Sequence, residues 1–134
     1  MKKNRIRSGM SIMLMLMLFA NYALAAMVTP YADTVFSSAR VSLSTQMDAS
    51  FTAQTKSKQA EIKVTSCILQ IKTGSVWADS MTLTAPSKVA TNANRYTASK
   101  NYSSSCSSGN TYRIKAVFDA DGHTKTAYSN SISY

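Results

Sequence analysis

The side chains that could carry out catalysis are few in this chain of 134 residues. Its one histidine is His123, and its two cysteines are Cys67 and Cys106. A serine-type triad would have to use His123, which follows the turn signal Asp121-Gly122, and no nucleophile flanked by glycines accompanies it. The six acidic residues are scattered, whereas a glycosidase needs two carboxylates across a cleft. We therefore expect a protein that is not an enzyme and that needs no cofactor.

The segment Asp119-Ala120-Asp121-Gly122-His123 resembles the opening of a calcium-binding loop, because acids at alternate positions before a glycine can wrap a hard cation. The rest of such a loop is missing. Position 12 counted from Asp119 is Asn130, where the helix-loop-helix motif needs a bidentate glutamate. A turn with a glycine bulge explains the same residues, so we expect a hairpin turn here and no metal site.

Residues 109–134 predict an antiparallel hairpin, which would position the cationic side chains of this region. Apolar residues recur at every second position from Tyr112 to Phe118, the pattern of a half-buried strand. The pair Asp121-Gly122 then reverses the chain. We expect the rest of the domain to pack around this hairpin.

The length of the hairpin loop decides which residues face each other. A two-residue loop would place Phe118 on the same face as Lys125, which conflicts with the apolar pattern. A three-residue loop, with Gly122 as a left-handed bulge, sets Ile114 opposite Tyr128 and aligns the apolar faces. We predict the three-residue loop and a structural role for Gly122.

This register predicts a basic outer face. If the apolar residues of the hairpin point inward, Arg113 and Lys115 point outward, and the three-residue loop brings Lys125 beside them. Lys72, at the end of a predicted strand over 67–72, can join them. Such a face could bind a repeating anion, such as a teichoic acid or a sulfated glycan, with an affinity that falls as salt screens the charges. The alternative is a solvated edge that discourages aggregation.

Upstream of the hairpin, short alternating segments predict further strands separated by polar or glycine-bearing turns. A switch of apolar parity near Ser66 predicts a bulge or a short break. Together these elements predict an all-β fold, an antiparallel sandwich of about seven strands. The predicted strands cover 39–45, 47–53, 67–72, the region from 76 to 85 and the region from 96 to 102, with a turn at 55–59 and a loop at 87–94.

The amino end has the form of a secretory leader. Basic residues precede the apolar run 10–20, and Ala23-Leu24-Ala25 suits signal peptidase. Cleavage after Ala25 leaves 109 residues, enough for one domain, and lowers the formal charge from +9 to +5. We expect a secreted, extracellular protein with no stable membrane insertion. The predicted divisions are a signal peptide (1–25), an extended N-terminal arm (26–38) and the β-sandwich domain (39–134).

Export also bears on the two cysteines. In an exported protein, exactly one pair most simply forms one disulfide, here Cys67 to Cys106. Closing that 40-residue span would be worth roughly 3 to 4 kcal/mol in the chain-entropy model. A reactive thiol is the alternative, and it would have to rely on His123.

Tyr112 follows Gly109 by three residues, and this spacing resembles the tyrosine corner of fibronectin type III and immunoglobulin-like domains. In those domains the tyrosine hydroxyl bonds back to the chain before its strand. Cys106 lies six residues before Tyr112, whereas the second cysteine of immunoglobulin domains follows that tyrosine. The resemblance therefore implies topology and does not extend to the disulfide.

A broader resemblance covers most of the chain after the leader. In combination, several short motifs are similar to those of small secreted single-domain proteins of Gram-positive, often gut-dwelling, bacteria. The motif residues look structural, Trp77 and Tyr112 among them, so the resemblance implies a fold and a compartment and transfers no active site. The motifs are the leader, Pro30-Tyr31-Ala32, Cys67-Ile68-Leu69-Gln70, Trp77, and the stretch from Gly109 to Lys115.

Three classes of function stay open. The preferred one is a released, non-catalytic module that binds a surface polymer, either an anionic wall polymer or a glycan, or a protein partner. The second is a small cationic antimicrobial protein that acts on membranes, and the third is an enzyme. We expect no nucleic-acid partner.

Overall fold

We describe the fold from a computed structural model, which covers residues 34–134 in describable detail. The predicted leader and most of the predicted arm lie outside these residues. The described part is all-β and antiparallel, as predicted, with one 3-10 turn, and it has no helix of the length and hydropathy that a membrane span needs. The strands are β1 (Phe36–Leu43), β2 (Asp48–Thr73), β3 (Val76–Thr82), β4 (Val89–Asn101), β5 (Thr111–Ala120), β6 (His123–Tyr128) and β7 (Ile132–Ser133), and the turn is Ser103–Ser105.

Strand β2 organises the sheet because it is 26 residues long and has two sets of neighbours. Its first half pairs with β1 and β4, and its second half pairs with β5 and β3. The two sets overlap at Ile62, which lies opposite Ala90 of β4 and Ala120 of β5. The sheet therefore curls partly around one apolar cluster.

The predicted turn at 55–59 is wrong, because β2 runs through it without a break. The polar residues are instead accommodated by a register shift against β4 between Gln54 and Gln59. Thr55 is buried there, and its hydroxyl oxygen lies 2.8 Å from the Ser57 carbonyl and 3.3 Å from the Asn94 carbonyl. A bulge thus places these polar groups where a turn was expected.

The bulge predicted near Ser66 is confirmed. The register between β2 and β5 shifts between Val64 and Ser66. Before the shift, the even-numbered residues Ile62 and Val64 lie on the buried side. After the shift, Cys67 and the odd-numbered residues that follow lie on that side. The switch of parity in the sequence is therefore the signature of this bulge.

Strand β4 begins at Val89, so the predicted loop at 87–94 is also wrong. Among the described strands β4 pairs with β2 alone, which leaves one side of it open and allows its polar residues to face solvent. Tyr96 of β4 and Tyr102, which directly follows this strand, are buried. The Tyr96 ring meets the Phe118 ring edge to face, with centroids 6.2 Å apart.

The hairpin register differs from the prediction. Strand β6 pairs with β5 through a two-residue turn, so that Ala120 lies opposite His123 and Phe118 opposite Lys125. Asp121 and Gly122 have φ angles of 51° and 87°, which are the two positive values of a type I′ turn. The three-residue loop with its glycine bulge is therefore wrong, although Gly122 is left-handed as expected.

Contacts outside the hairpin explain why the shorter turn prevails. The Asp121 carboxylate accepts hydrogen bonds from Ala60 N at 2.7 Å and Glu61 N at 2.9 Å in β2. A type I′ turn also matches the right-handed twist of the two strands. Asp121 therefore holds the turn against β2. These two contacts give a structural reason for an acidic residue at this position, which resembled a calcium ligand in the sequence.

The Tyr112 hydroxyl bonds back to the chain that precedes its strand. Ser107 N donates to the Tyr112 hydroxyl at 3.1 Å, and the hydroxyl donates to the Ser107 carbonyl at 3.3 Å. The bond joins the start of β5 to the segment before it.

The predicted disulfide between Cys67 and Cys106 is not formed, since both residues are free thiols in the structure. Cys67 lies on the buried side of β2, close enough to the Tyr102 hydroxyl that each group shifts the pKa of the other. That hydroxyl in turn donates to the Thr84 carbonyl at 2.8 Å. The Cys67 thiol therefore lies next to Tyr102, which directly follows β4, and is not bonded to Cys106.

Candidate functional site

The candidate site lies on the outer face of the sheet, the side opposite the apolar cluster, where four strands run in the order β3-β2-β5-β6. Buried residues alternate along β5, so that Arg113 and Lys115 are on the outer side, as predicted. Arg113 lies opposite Gln70 of β2, and Lys115 lies opposite Tyr128 of β6. Trp77 of β3 completes the group from the far side of β2.

Arg113 contacts two aromatic rings, one from β3 and one from β6. Its guanidinium carbon lies 4.4 Å from the centroid of the Trp77 ring and 4.6 Å from the centroid of the Tyr128 ring. Each such contact is worth about 0.5 to 1 kcal/mol when exposed and more when desolvated. We call Trp77, Arg113 and Tyr128 the stacked triad.

Gln70 fixes the orientation of Arg113. It is only 6% exposed although it lies on the outer face, because the larger side chains around it cover it. Its Oε1 accepts a hydrogen bond of 2.7 Å from Arg113 Nε, and its Nε2 donates one of 2.6 Å to Asp79 Oδ1. The amide thus links the guanidinium to a carboxylate on β3 without a direct ion pair.

The terminal nitrogens of Arg113 remain available. Its Nε is the atom that bonds Gln70, and within residues 34–134 no hydrogen bond is formed by its two Nη groups. The guanidinium therefore presents a planar pair of donors in a fixed orientation, which suits a carboxylate or a phosphate.

The structure brings together three of the four predicted basic residues. Lys72 is exposed opposite Trp77, and Lys115 is half-buried beside the stacked triad. Lys125 is not part of this face, because the two-residue turn places it opposite Phe118, on the other side of the sheet. The prediction of Lys125 as a member of the basic face is therefore wrong.

A groove continues the outer face beyond Tyr128. It has a volume of about 510 Å³ and lies between β1 and β6. Asn130, which follows β6 in the chain, is bonded to β1, since its side-chain amide accepts from Leu43 N and donates to Leu43 O, both at 2.8 Å. The polar side chains that line the groove are Arg40, Ser42, Ser50, Thr52 and Thr126.

The cysteines lack the properties of reactive thiols. Burial raises the pKa of the Cys67 thiol, and the Tyr102 hydrogen bond and the charge of Lys100 offset this only in part. Burial also raises the pKa of the Cys106 thiol. Reactive thiols have a lowered pKa, so the environment of both residues favours protonated, unreactive side chains. Within residues 34–134, no three His, Cys, Asp or Glu side chains are grouped so as to hold a metal ion.

Comparisons with protein-family models, with curated proteins and with solved structures find no match to this chain. The resemblance to secreted proteins of Gram-positive bacteria therefore stays a prediction.

Sequence reasoning missed the aromatic part of the site. Trp77 was expected to be only structural, and the three-residue loop set Tyr128 opposite Ile114, on the inner side. The signal that could have corrected this is the pair Asp121-Gly122, which strongly favours a two-residue type I′ turn. That turn places Tyr128 opposite Lys115 and thus on the outer face.

Proposed function

We propose that the protein is a secreted, non-catalytic module that binds a surface polymer, an anionic wall polymer or a glycan, on its outer face. The observation that carries the proposal is the stacked triad. A cation held between two aromatic rings, with free donors and with Lys72 and Lys115 nearby, combines charge with flat apolar surface. Exposed polar and aromatic side chains on a rigid sheet are typical of binding surfaces.

Two expectations from the sequence belong to this proposal. The leader at 1–25 supplies export, and the curled sheet is a sandwich of the fibronectin type III or immunoglobulin-like kind. The bond from Tyr112 to Ser107 supports the second, because the tyrosine corner occurs in those domains. Such domains commonly serve as rigid scaffolds for binding surfaces, which suits a non-catalytic module.

The test is binding of the purified exported protein to teichoic acid and to acidic and neutral glycans at low and high salt. Lys115→Ser should weaken binding of the anionic ligand by several-fold, because one cation near the stacked triad is removed. Lys125→Ser is a matched control, since it removes the same charge from the other side of the sheet. Equal losses in both variants would show that only net charge matters and would reject the outer face as the site.

A second control separates polymer binding from action on membranes. The same protein is added to vesicles of anionic phospholipid that contain a trapped dye. The proposal expects no release of dye at concentrations that saturate the polymer. Release that persists in Lys115→Ser would favour a membrane-active protein instead.

A further inference from the structure

Resting on the proposed function, we propose that the ligand is a linear acidic polysaccharide with carboxylate groups, bound across the strands from Trp77 past Tyr128 into the groove beside β1. The groove and the stacked triad share Tyr128, so they form one continuous surface.

The aromatic rings favour sugar rings over a chain of phosphates. Each ring of the stacked triad has one side near Arg113, and Tyr128 keeps 49% of its surface exposed. The π face of an aromatic ring carries partial negative charge, and it attracts the slightly positive C–H groups on the flat side of a pyranose. A poly(glycerol phosphate) has no rings and would gain nothing from these surfaces.

Arg113 lies between the two rings and favours an acidic sugar at this position of the ligand. Its two Nη groups take no part in the bond to Gln70 and can donate in parallel to both oxygens of one carboxylate. The distances from Arg113 to the two ring centroids limit the separation of the centroids to about 9 Å. An acidic sugar at Arg113 can therefore have neighbouring sugar rings in contact with Trp77 and Tyr128.

The groove supplies partners for sugar hydroxyls. Two outward cross-strand pairs, Ser42 with Ser50 and Arg40 with Thr52, line it from β1 and β2, and Thr126 lines it from β6. A hydroxyl both donates and accepts, as a sugar hydroxyl does, so these side chains suit a ligand rich in hydroxyl groups. Arg40 places a second guanidinium in this part of the surface for a second carboxylate.

The test compares polygalacturonic acid, its carboxyl-reduced form and poly(glycerol phosphate) teichoic acid, with binding to the exported protein measured by calorimetry. We expect polygalacturonic acid to bind about tenfold more tightly than teichoic acid of equal charge, and reduction of the carboxylates to abolish most of the binding. Tyr128→Ala and Arg40→Ser should each weaken binding of polygalacturonic acid about three- to tenfold. Arg95→Ser, an exposed change on β4, is the matched control for Arg40 and should have no effect.

The possible failures are distinguishable. If teichoic acid binds as tightly as polygalacturonic acid, and Lys115→Ser weakens both, this inference is overturned and the proposed function stands. If neither polymer binds, this inference is overturned, and the proposed function is overturned with it if the neutral glycans also fail to bind. Thermal unfolding of each variant shows whether a loss reflects the site or the fold, and loss of binding in a fully folded Tyr128→Ala supports the site.

Discussion

Gln70 Oε1 accepts a hydrogen bond of 2.7 Å from Arg113 Nε, and through its Nε2 the same amide reaches the Asp79 carboxylate at 2.6 Å. A neutral side chain thus joins a cation to an anion on the outer face while being 6% exposed. Hydrogen bonds to charged groups contribute about 1.5 to 3 kcal/mol each. This amide therefore both stabilises the sheet and orients the guanidinium that the proposed ligand would meet.

Replacement of Gln70 by leucine should lower the free energy of unfolding by about 2 kcal/mol, because both of its charged partners lose a hydrogen bond. The measurement is urea denaturation. Gln54→Leu is the matched control, since Gln54 is exposed on the same strand. Equal effects of the two changes would contradict the role of the amide in the structure.

A second prediction concerns the type I′ turn between β5 and β6. Gly122→Ala should destabilise the protein by about 1 kcal/mol, because a residue with a Cβ is strained at a φ of 87°. Open space surrounds the position where the Cβ would lie, so the cost is that of the backbone alone. Thermal unfolding measures it, and an unchanged melting temperature would contradict the left-handed turn.

The companion change is Asp121→Ala, which removes an acceptor for Ala60 N and Glu61 N and puts alanine at a φ of 51°. We expect a loss about 1 to 2 kcal/mol larger than for Gly122→Ala, because two hydrogen bonds to a carboxylate are broken as well. Asp119→Ala, on the neighbouring strand, is the control. Its Oδ1 only meets Gly122 N at a long 3.4 Å.

The sequence predicted the all-β class and the buried faces of β1, β2 and β5 well, because burial imposes a period of two that a short stretch reveals. It predicted the bulge near Ser66 for the same reason. The sequence-based prediction was wrong where a polar segment is compatible with both a turn and an irregular strand. The two cases are 55–59 and the first half of β4. In those segments the conformation depends on contacts between residues that are far apart in sequence, such as Thr55 and Asn94.

The stacked triad could not be predicted from the sequence, because it also depends on how distant segments pair. Its three members lie on three strands, and the error of one residue in the hairpin register moved Tyr128 to the wrong side of the sheet. Arg113 and Lys115 were placed correctly because they depend only on alternation within β5. Lys125 was misplaced because its position depends on the turn. Local alternation is thus predictable here, and pairing between strands is not.

The next prediction concerns the buried thiol of Cys67, which should make the free energy of unfolding decrease at high pH. Burial raises the pKa of Cys67 above its ordinary value of 9.0, so the unfolded chain loses the thiol proton at a lower pH than the folded protein. The contribution of this group to stability is therefore complete below pH 9 and is lost as the pH rises toward the folded pKa. Denaturation by urea between pH 7 and 11 should show this decline. Cys67→Ala should reduce it, whatever its effect at neutral pH.

Tyr102 adds to the same decline at higher pH. Burial and the neighbouring Cys67 raise the pKa of its phenol, which has an ordinary value of 10.0. The unfolded chain again ionises first, so stability is lost as the pH rises above 10. A flat profile between pH 9 and 11 would contradict the burial of both groups.

The last prediction concerns Tyr96, whose ring is fully buried against Phe118. Within residues 34–134 its hydroxyl is the one buried side-chain polar atom that has no hydrogen-bond partner. A buried polar group without a partner costs about 1 to 3 kcal/mol, so Tyr96→Phe should leave the protein equally stable or stabilise it by about 1 kcal/mol. Tyr102→Phe, directly after the end of β4, is the matched control and should destabilise by about 1 to 2 kcal/mol, because the Tyr102 hydroxyl donates to the Thr84 carbonyl at 2.8 Å. Urea denaturation of the two variants side by side gives the difference. A Tyr96→Phe variant that loses as much stability as Tyr102→Phe would show that the hydroxyl has a partner and would overturn the prediction.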